Sequence, residues 1–187
     1  MSEAAPPDWL PPMIVVMPWQ SGTYDELYSV FVRDIRNGRL TYLGFNVWYY
    51  PDTEEDGREA IFWHLTSRED RRQNPPVRLP DPRRSERLSW VRPMILRCPC
   101  ATSDVLDWDH EEGDGAIKTY VWIEQHDFVV IMKKLPHGRR RLITSYHLDD
   151  DHERRKMRKK WERRLPPSAP NKRPPQSGGP TPSTLGG

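Results

Sequence analysis

Cysteine is nearly absent from this sequence. Its 187 residues hold two, Cys98 and Cys100, both inside RCPC. They are too close in sequence for an ordinary structural disulfide, which needs a favourable Cα separation and geometry. A disulfide-stapled scaffold is therefore excluded. Long apolar runs are missing too: none approaches the roughly 20 residues of a membrane-spanning helix. The opening MSEAAPPDWLPP is polar and proline-rich, unlike a secretory leader. These absences lead to the expectation of a reducing, cytoplasmic setting with no membrane partner. Apolar residues make up 35% of the chain and charged residues 30%. That apolar share is low for a fully packed chain, so part of the length is expected to lie outside any core.

Proline is plentiful and unevenly placed. LPPSAPNKRPPQSGGPTPSTLGG, residues 165–187, carries seven of the 20 prolines and almost nothing to bury. It reads as a disordered tail. The first 18 residues read as a shorter N-terminal extension, leaving one domain over 19–164. Charge is uneven as well. Residues 151–187 hold ten Lys/Arg against three acids, a net of +7, while the other 150 residues hold 19 against 24. A mildly acidic body with a strongly basic end points to a polyanion-binding arm, although basic tails also serve solubility alone.

Periodicity supplies the elements. SGTYDELYSVFVRDIRNG reads as a helix: Ser21 or Thr23 caps it, Asp25 and Glu26 suit its first turn, and Asn37-Gly38 ends it. RLTYLGFNVWYYP and REAIFWHL read as two strands of a hairpin, with His64 near the end of the second. LPDPRRSERLSWVRPMIL reads as a helix capped by Asp81, with Pro82 at its first position and Pro93 able to kink it. The acidic stretch from Cys98 to Gly115 reads as an irregular surface insertion. TYVWIEQ, FVVIMKK and RRLITSYHL then read as an antiparallel meander turning at 126–127 and 136–138. DDDHERRKMRKKWERRL reads as a final basic helix with acids at its start. The sum is an α+β fold: an antiparallel sheet of about four to five strands, helices packed on one face, and a disordered C-terminal tail.

Two stretches resemble a known group. YVWIEQHDFVVIMKKLPHGRRRLITSYHLDDDHERRKMRKKWERR has two hairpinned strands, a last strand of the form L-x-T-x-Y, and a basic helix. Upstream, FWHLTSR is followed by RRSERLSWVRPMI. Over roughly residues 40–164 this order is similar to phage-associated nuclease domains of the barnase, EndoU, colicin-nuclease and RelE-like group. The resemblance implies a metal-independent ribonuclease without a cofactor, using the ribose hydroxyl of RNA as nucleophile to leave a cyclic phosphate. It implies a toxin-like protein of a phage or mobile element, with RNA (tRNA or mRNA) as substrate and an immunity or antitoxin protein as partner. It also places the catalytic groups on the open face of the sheet.

The residues supply matching chemistry. Such cleavage needs a group to take the hydroxyl proton, a group to protonate the leaving oxygen, and cations for the charge on phosphorus. Histidine carries protons near neutral pH, which selects His64 as general acid/base. Arginine's planar fork matches two phosphate oxygens. Arg84 and Arg87 are the expected clamp, with Arg83, Arg92 and Lys133 as further substrate-binding cations. Thr144 and Tyr146 lie two apart on one strand, so they share a sheet face and can position the phosphate or ribose. His147 should point the other way.

Each reading has a competitor. His64 can be a packed histidine satisfied by hydrogen bonds. The arginines can be a solvated helix face, and Thr144 and Tyr146 ordinary strand residues. Cys98 and Cys100 with Asp107, Asp109 and His110 raise zinc, but one intervening residue is the wrong cysteine spacing, and no metal site is expected. As a whole, the chain can be a non-catalytic RNA- or protein-binding module, or a phage assembly accessory, because a fold does not fix a function.

Overall fold

Residues 5–54, 56–70, 72–99 and 104–167 are described by the computed structural model. The N-terminal segment, expected to hang loose, packs over the domain. Leu10 and Val16 are buried, and the Trp90 indole donates to the Pro11 carbonyl at 2.9 Å. The expected C-terminal tail lies outside the described residues from 168 onward; Leu165, just before it, donates its N–H to the Asp109 carbonyl.

Helix α1 (Thr23–Phe31) forms where expected and runs on through a π-helical turn, Val32–Arg36. It buries Leu27, Phe31 and Ile35. It stops at Gly38, where a Cβ would sit 1.8 Å from the Asp34 carbonyl oxygen, so only glycine fits.

RLTYLGFNVWYYP is not one strand. It is a tight hairpin of β1 (Thr41–Tyr42) and β2 (Phe45–Trp48). Leu43 and Gly44 at its tip both have positive φ, 53° and 78°, as a type I′ turn demands. The expected partner strand REAIFWHL is instead helix α2 (Ala60–Thr66). Ile61, Phe62 and Leu65 recur at helical spacing and are all buried, so the apolar run has period 3.6 rather than 2. Glu59, just before α2, accepts from Tyr28 at 2.8 Å and from Arg36 at 2.6 Å, tying the start of α2 to α1. Burial pushes the Glu59 carboxyl up, but these hydrogen bonds outweigh it and leave the group below its ordinary range.

A small hairpin, β3 (Ser67–Asp70) with β4 (Val77–Pro80), follows. The long helix expected over LPDPRRSERLSWVRPMIL is broken into α3 (Pro82–Ser85), a 3-10 turn (Leu88–Trp90) and α4 (Val91–Arg97). Asp81 caps α3 as expected, accepting from the Arg84 N–H. Pro93 falls in the first turn of α4, where its missing N–H has no intrahelical partner to lose.

The acidic stretch is not an irregular insertion. It contains edge strand β5 (Leu106–Glu111), with Trp108 and Asp109 buried. The meander forms as expected from β6 (Ile117–Ile123), β7 (Phe128–Lys134) and β8 (Arg140–His147). The last helix, α5 (Asp151–Glu162), is capped by Asp150.

The sheet has six strands in the order β1-β2-β8-β7-β6-β5, more than expected. It is mixed rather than antiparallel, because β2 runs parallel to β8. Helices cover both faces, not one. Val121, Ile123, Phe128, Val130, Met132 and Leu142 join the main core with α1, α2 and α4. Their alternates Tyr120, Trp122, Val129 and Ile131 pack with Met157 and Trp161 of α5 on the other side. Residues 120–123 of β6 and 128–132 of β7 are therefore apolar at every position, as fits strands covered on both faces.

Candidate functional site

Helix α2 lies against β8, where the short strand β2 pairs Arg140 and Arg141 and no other described strand pairs the rest of that edge. Its last carbonyls find side-chain donors. Thr66 Oγ1 donates to Phe62 and Ser67 Oγ to Trp63. The Thr66 carbonyl takes the Ser85 hydroxyl and the Asp81 N–H. The His64 carbonyl takes two: Thr144 Oγ1 at 2.9 Å and Arg84 Nη1 at 3.2 Å. Arg84 is itself held by Asp81, whose Oδ2 accepts from Nε at 3.0 Å. Its guanidinium lies 5.6 Å from the centre of the Tyr146 ring.

Four residues singled out from the sequence thus come together: His64, Arg84, Thr144 and Tyr146. A β-bulge helps. Thr144 pairs Ile131 and Leu142 pairs Met132, leaving Ile143 unpaired. The bulge carries Thr144 and Tyr146 onto the face of α5, while His147 points to the opposite face as expected.

The His64 side chain is exposed and makes no hydrogen bond among the described residues. It borders a cavity of about 220 Å³ that Tyr50, Asp52, Ile61, Arg141, Leu142 and Ile143 also line. Partial desolvation, then the positive charge of Arg78 with that of Arg84, hold the imidazole below its ordinary pKa, against the opposing pull of Glu54 and Glu69. The ring is therefore neutral, and able to accept a proton, at neutral pH. Tyr146 moves oppositely: desolvation and Glu153 raise its pKa, keeping the phenol a proton donor.

The remaining expected cations are placed otherwise. Arg87 is not a surface clamp: it is 1% exposed, ion-paired to Glu86 and packed over the Trp90 ring. Arg83 turns to the other face, where Nη1 meets the His147 ring nitrogens at 3.2 and 3.3 Å, and His147 Nδ1 meets Asp149 at 3.0 Å. Arg92 donates to the Gly38 carbonyl, at the end of the segment that continues α1. Lys133 does share the face of Thr144 and Tyr146, opposite Arg141.

Three cavity residues were not singled out as site residues: Tyr50, Asp52 and Arg141. Tyr50 and Asp52 follow β2 in WYYPD, an irregular segment whose neighbours become clear only once β2 is paired to β8. Arg141 was one of several basic residues at a turn, with nothing local to mark it from Arg139 and Arg140. As for a metal, Asp107 accepts from the Tyr42 hydroxyl at 2.8 Å. Asp109 is buried against Arg140 and Lys134. Cys100 lies outside the described residues. No cluster of three or more candidate ligands is found among the described residues. No helix of the described residues is long and apolar enough to cross a membrane.

Comparison with protein-family models, with curated proteins and with solved structures finds no match to this chain.

Proposed function

We propose that the chain is a metal-independent, toxin-like endoribonuclease. One observation carries the reading: a neutral, unbonded His64 imidazole borders a cavity with a guanidinium, Arg141, that makes no ion pair among the described residues. His64 takes the proton of the ribose 2′-hydroxyl. The freed oxygen attacks phosphorus, the bond to the 5′-oxygen of the next nucleotide breaks, and a 2′,3′-cyclic phosphate forms. The leaving oxygen takes a proton, so one product ends in a 5′-hydroxyl. Arg141 supports charge on the phosphoryl oxygens, and the Tyr146 hydroxyl can donate to one of them. Arg84 and Thr144 act differently. They hold the His64 carbonyl, fixing the helix end from which the imidazole projects, and are positioning residues. An immunity or antitoxin protein would be expected to cover the exposed cations.

A binding module without turnover is the second reading. It is favoured by the inward use of Arg84 and Arg87, which removes two of the expected phosphate ligands. The test is incubation of total RNA with the full chain and with His64→Ala, in excess chelator, followed by analysis of product ends. Cleavage leaving cyclic phosphate that disappears in the variant supports the enzyme. No cleavage by either protein, with RNA still bound, supports the module.

A further inference from the structure

Lys118, Lys133 and Arg141 stand directly opposite one another on β6, β7 and β8. Alternation puts them on one face, in line with Tyr120 and Ile131 and beside the part that α5 covers. Strands lie about 4.8 Å apart, so the row is about 10 Å long. None of the three makes an ion pair among the described residues. The cations beside them on the other face differ: Lys134 and Arg140 both pair with Asp109. Two carboxylates come near the row. Glu112 is already held by Lys160 and Tyr120, and Asp52 lines the cavity beside Arg141. Like charges directly opposite on neighbouring strands repel and disfavour the sheet. The fold alone gains nothing from such a row, whereas a polyanion laid across it would relieve the repulsion.

The row also leads somewhere. At its end Arg141 lies 4.3 Å from the centre of the Tyr50 ring, which is 51% exposed and braced edge-on by Trp48 at 5.2 Å. Beyond Tyr50 is the cavity of His64. Cations in line with an exposed aromatic plate form the pattern that holds single strands, the cations on phosphates and the ring under an unstacked base. A duplex keeps its bases stacked and offers none to Tyr50.

We propose that Lys118, Lys133 and Arg141 form a track for successive phosphates of single-stranded RNA, with Tyr50 stacking a base, so that a ribose and its phosphate are delivered to His64. The inference rests on the ribonuclease reading of the same site and names its substrate class as unpaired RNA.

The test measures binding by the full chain carrying His64→Ala, so that its result does not depend on turnover. The probes are a short labelled single-stranded RNA, its duplex, and polyglutamate as a protein-like polyanion, each over a range of salt. Lys118→Gln with Lys133→Gln should weaken single-strand binding at least tenfold at low salt. It should also flatten the log–log salt slope by about 1.4, since each phosphate contact on a single strand contributes about 0.7. Tyr50→Ala should weaken single-strand binding by about five- to a hundredfold with the slope unchanged, the range of one lost stacked base. The duplex should be indifferent to Tyr50→Ala. The melting temperature of the lysine double variant should rise at low salt, which separates lost binding from lost folding. Unchanged affinity and slope in the double variant overturn the track. So does polyglutamate bound as tightly as RNA with the same response, which would make the row a protein-docking face. A fall in melting temperature also counts against it. Wild-type protein that shows these binding effects but never cleaves RNA sinks the ribonuclease reading and leaves the track standing.

Discussion

The hydroxyl of Thr144 donates to the carbonyl oxygen of His64 across 2.9 Å, joining the last strand of the sheet to the final turn of α2. Eighty positions separate the two residues in the chain. The bond makes a strand threonine part of what aims the imidazole.

Thr144→Val keeps the shape and removes the donor. Among the described residues, the His64 carbonyl then retains only Arg84 as a side-chain donor, and the helix end is free to shift. Stability should fall by about 1 kcal/mol, the ordinary net worth of one hydrogen bond, measured by urea unfolding. The cleavage rate should fall about tenfold with RNA affinity nearly constant, because displacement of a reacting group is costly to rate. Equal loss of rate and affinity would instead make the Thr144 hydroxyl a direct substrate ligand.

The pH dependence follows from the direction of the His64 shift. An unperturbed histidine titrates near 6.5, and here desolvation, Arg78 and Arg84 hold the ring lower. If His64 acts as base, the acid limb of the rate profile has its midpoint below pH 6.5. Arg78→Ala removes a positive neighbour, so the acid limb should move to higher pH. A rate that already halves at pH 7 would contradict this. Folding shows the same sign. Between the lowered native pKa and about 6.5 the unfolded chain binds a proton that the native one refuses, so stability is lost as pH falls through that window. His147, also held low by desolvation and Arg87, adds to the stability profile. The kinetic profile is therefore the cleaner report on His64.

Much of this arrangement could be read in the sequence, for reasons that differ residue by residue. The meander of β6, β7 and β8 is legible because its apolar runs are long and its turns short. That placed Thr144 and Tyr146 on one face, while the face of Lys133 depends on the strand register and the bulge. Asp81 before Pro82 marked the start of α3. AIFWHLT was not legible. It has seven residues, is rich in β-formers, and reads alike with either period until Ile61, Phe62 and Leu65 find the core. Edge strand β5 was hidden by its own acids, since Asp107 and Asp109 look solvated until Tyr42, Arg140 and Lys134 are seen to meet them. Arg87 misled for the converse reason: a cation in a basic helix gives no local sign that it will be buried. The parallel pairing of β2 with β8, which brings Tyr50 to Arg141, joins segments about ninety residues apart and leaves no local trace.

Asp109 gives a sharper test of that edge. It is 5% exposed and meets Arg140, which is fully buried, together with Lys134 and Thr119. Among the described residues, Asp109→Ala leaves the Arg140 charge in the interior with only neutral acceptors, the Thr119 hydroxyl and the carbonyls of Arg139 and Gly138. Removal of one partner from a buried pair costs about 3–5 kcal/mol. Asp109→Asn, which keeps an acceptor, should lose less. Urea unfolding of the two variants checks the order. Equal, small losses would mean that water reaches Arg140.

The N-terminal segment yields the last prediction, because its behaviour reverses what its composition implies. Its prolines and small polar residues look unpacked, yet Leu10 and Val16 are buried and the Ile14 N–H donates to the Glu86 carbonyl at 2.8 Å. The buried Trp90 indole takes Pro11 as its acceptor. A chain beginning at residue 17 exposes the surface that Leu10 and Val16 cover, at about 1.5–3 kcal/mol for each buried side chain. It also strands the Trp90 N–H, at about 1–3 kcal/mol. The sum, about 4–9 kcal/mol, is more than half the total stability of an ordinary domain, about 5–15 kcal/mol. The shortened chain should melt far below the full one, and it should lose cleavage through unfolding rather than through the site. Leu10→Ala, a milder change at the same contact, should cost about 2–5 kcal/mol and leave the cleavage rate of the folded fraction unaltered. Identical melting of the shortened and full chains would show that residues 5–16 add nothing to the core.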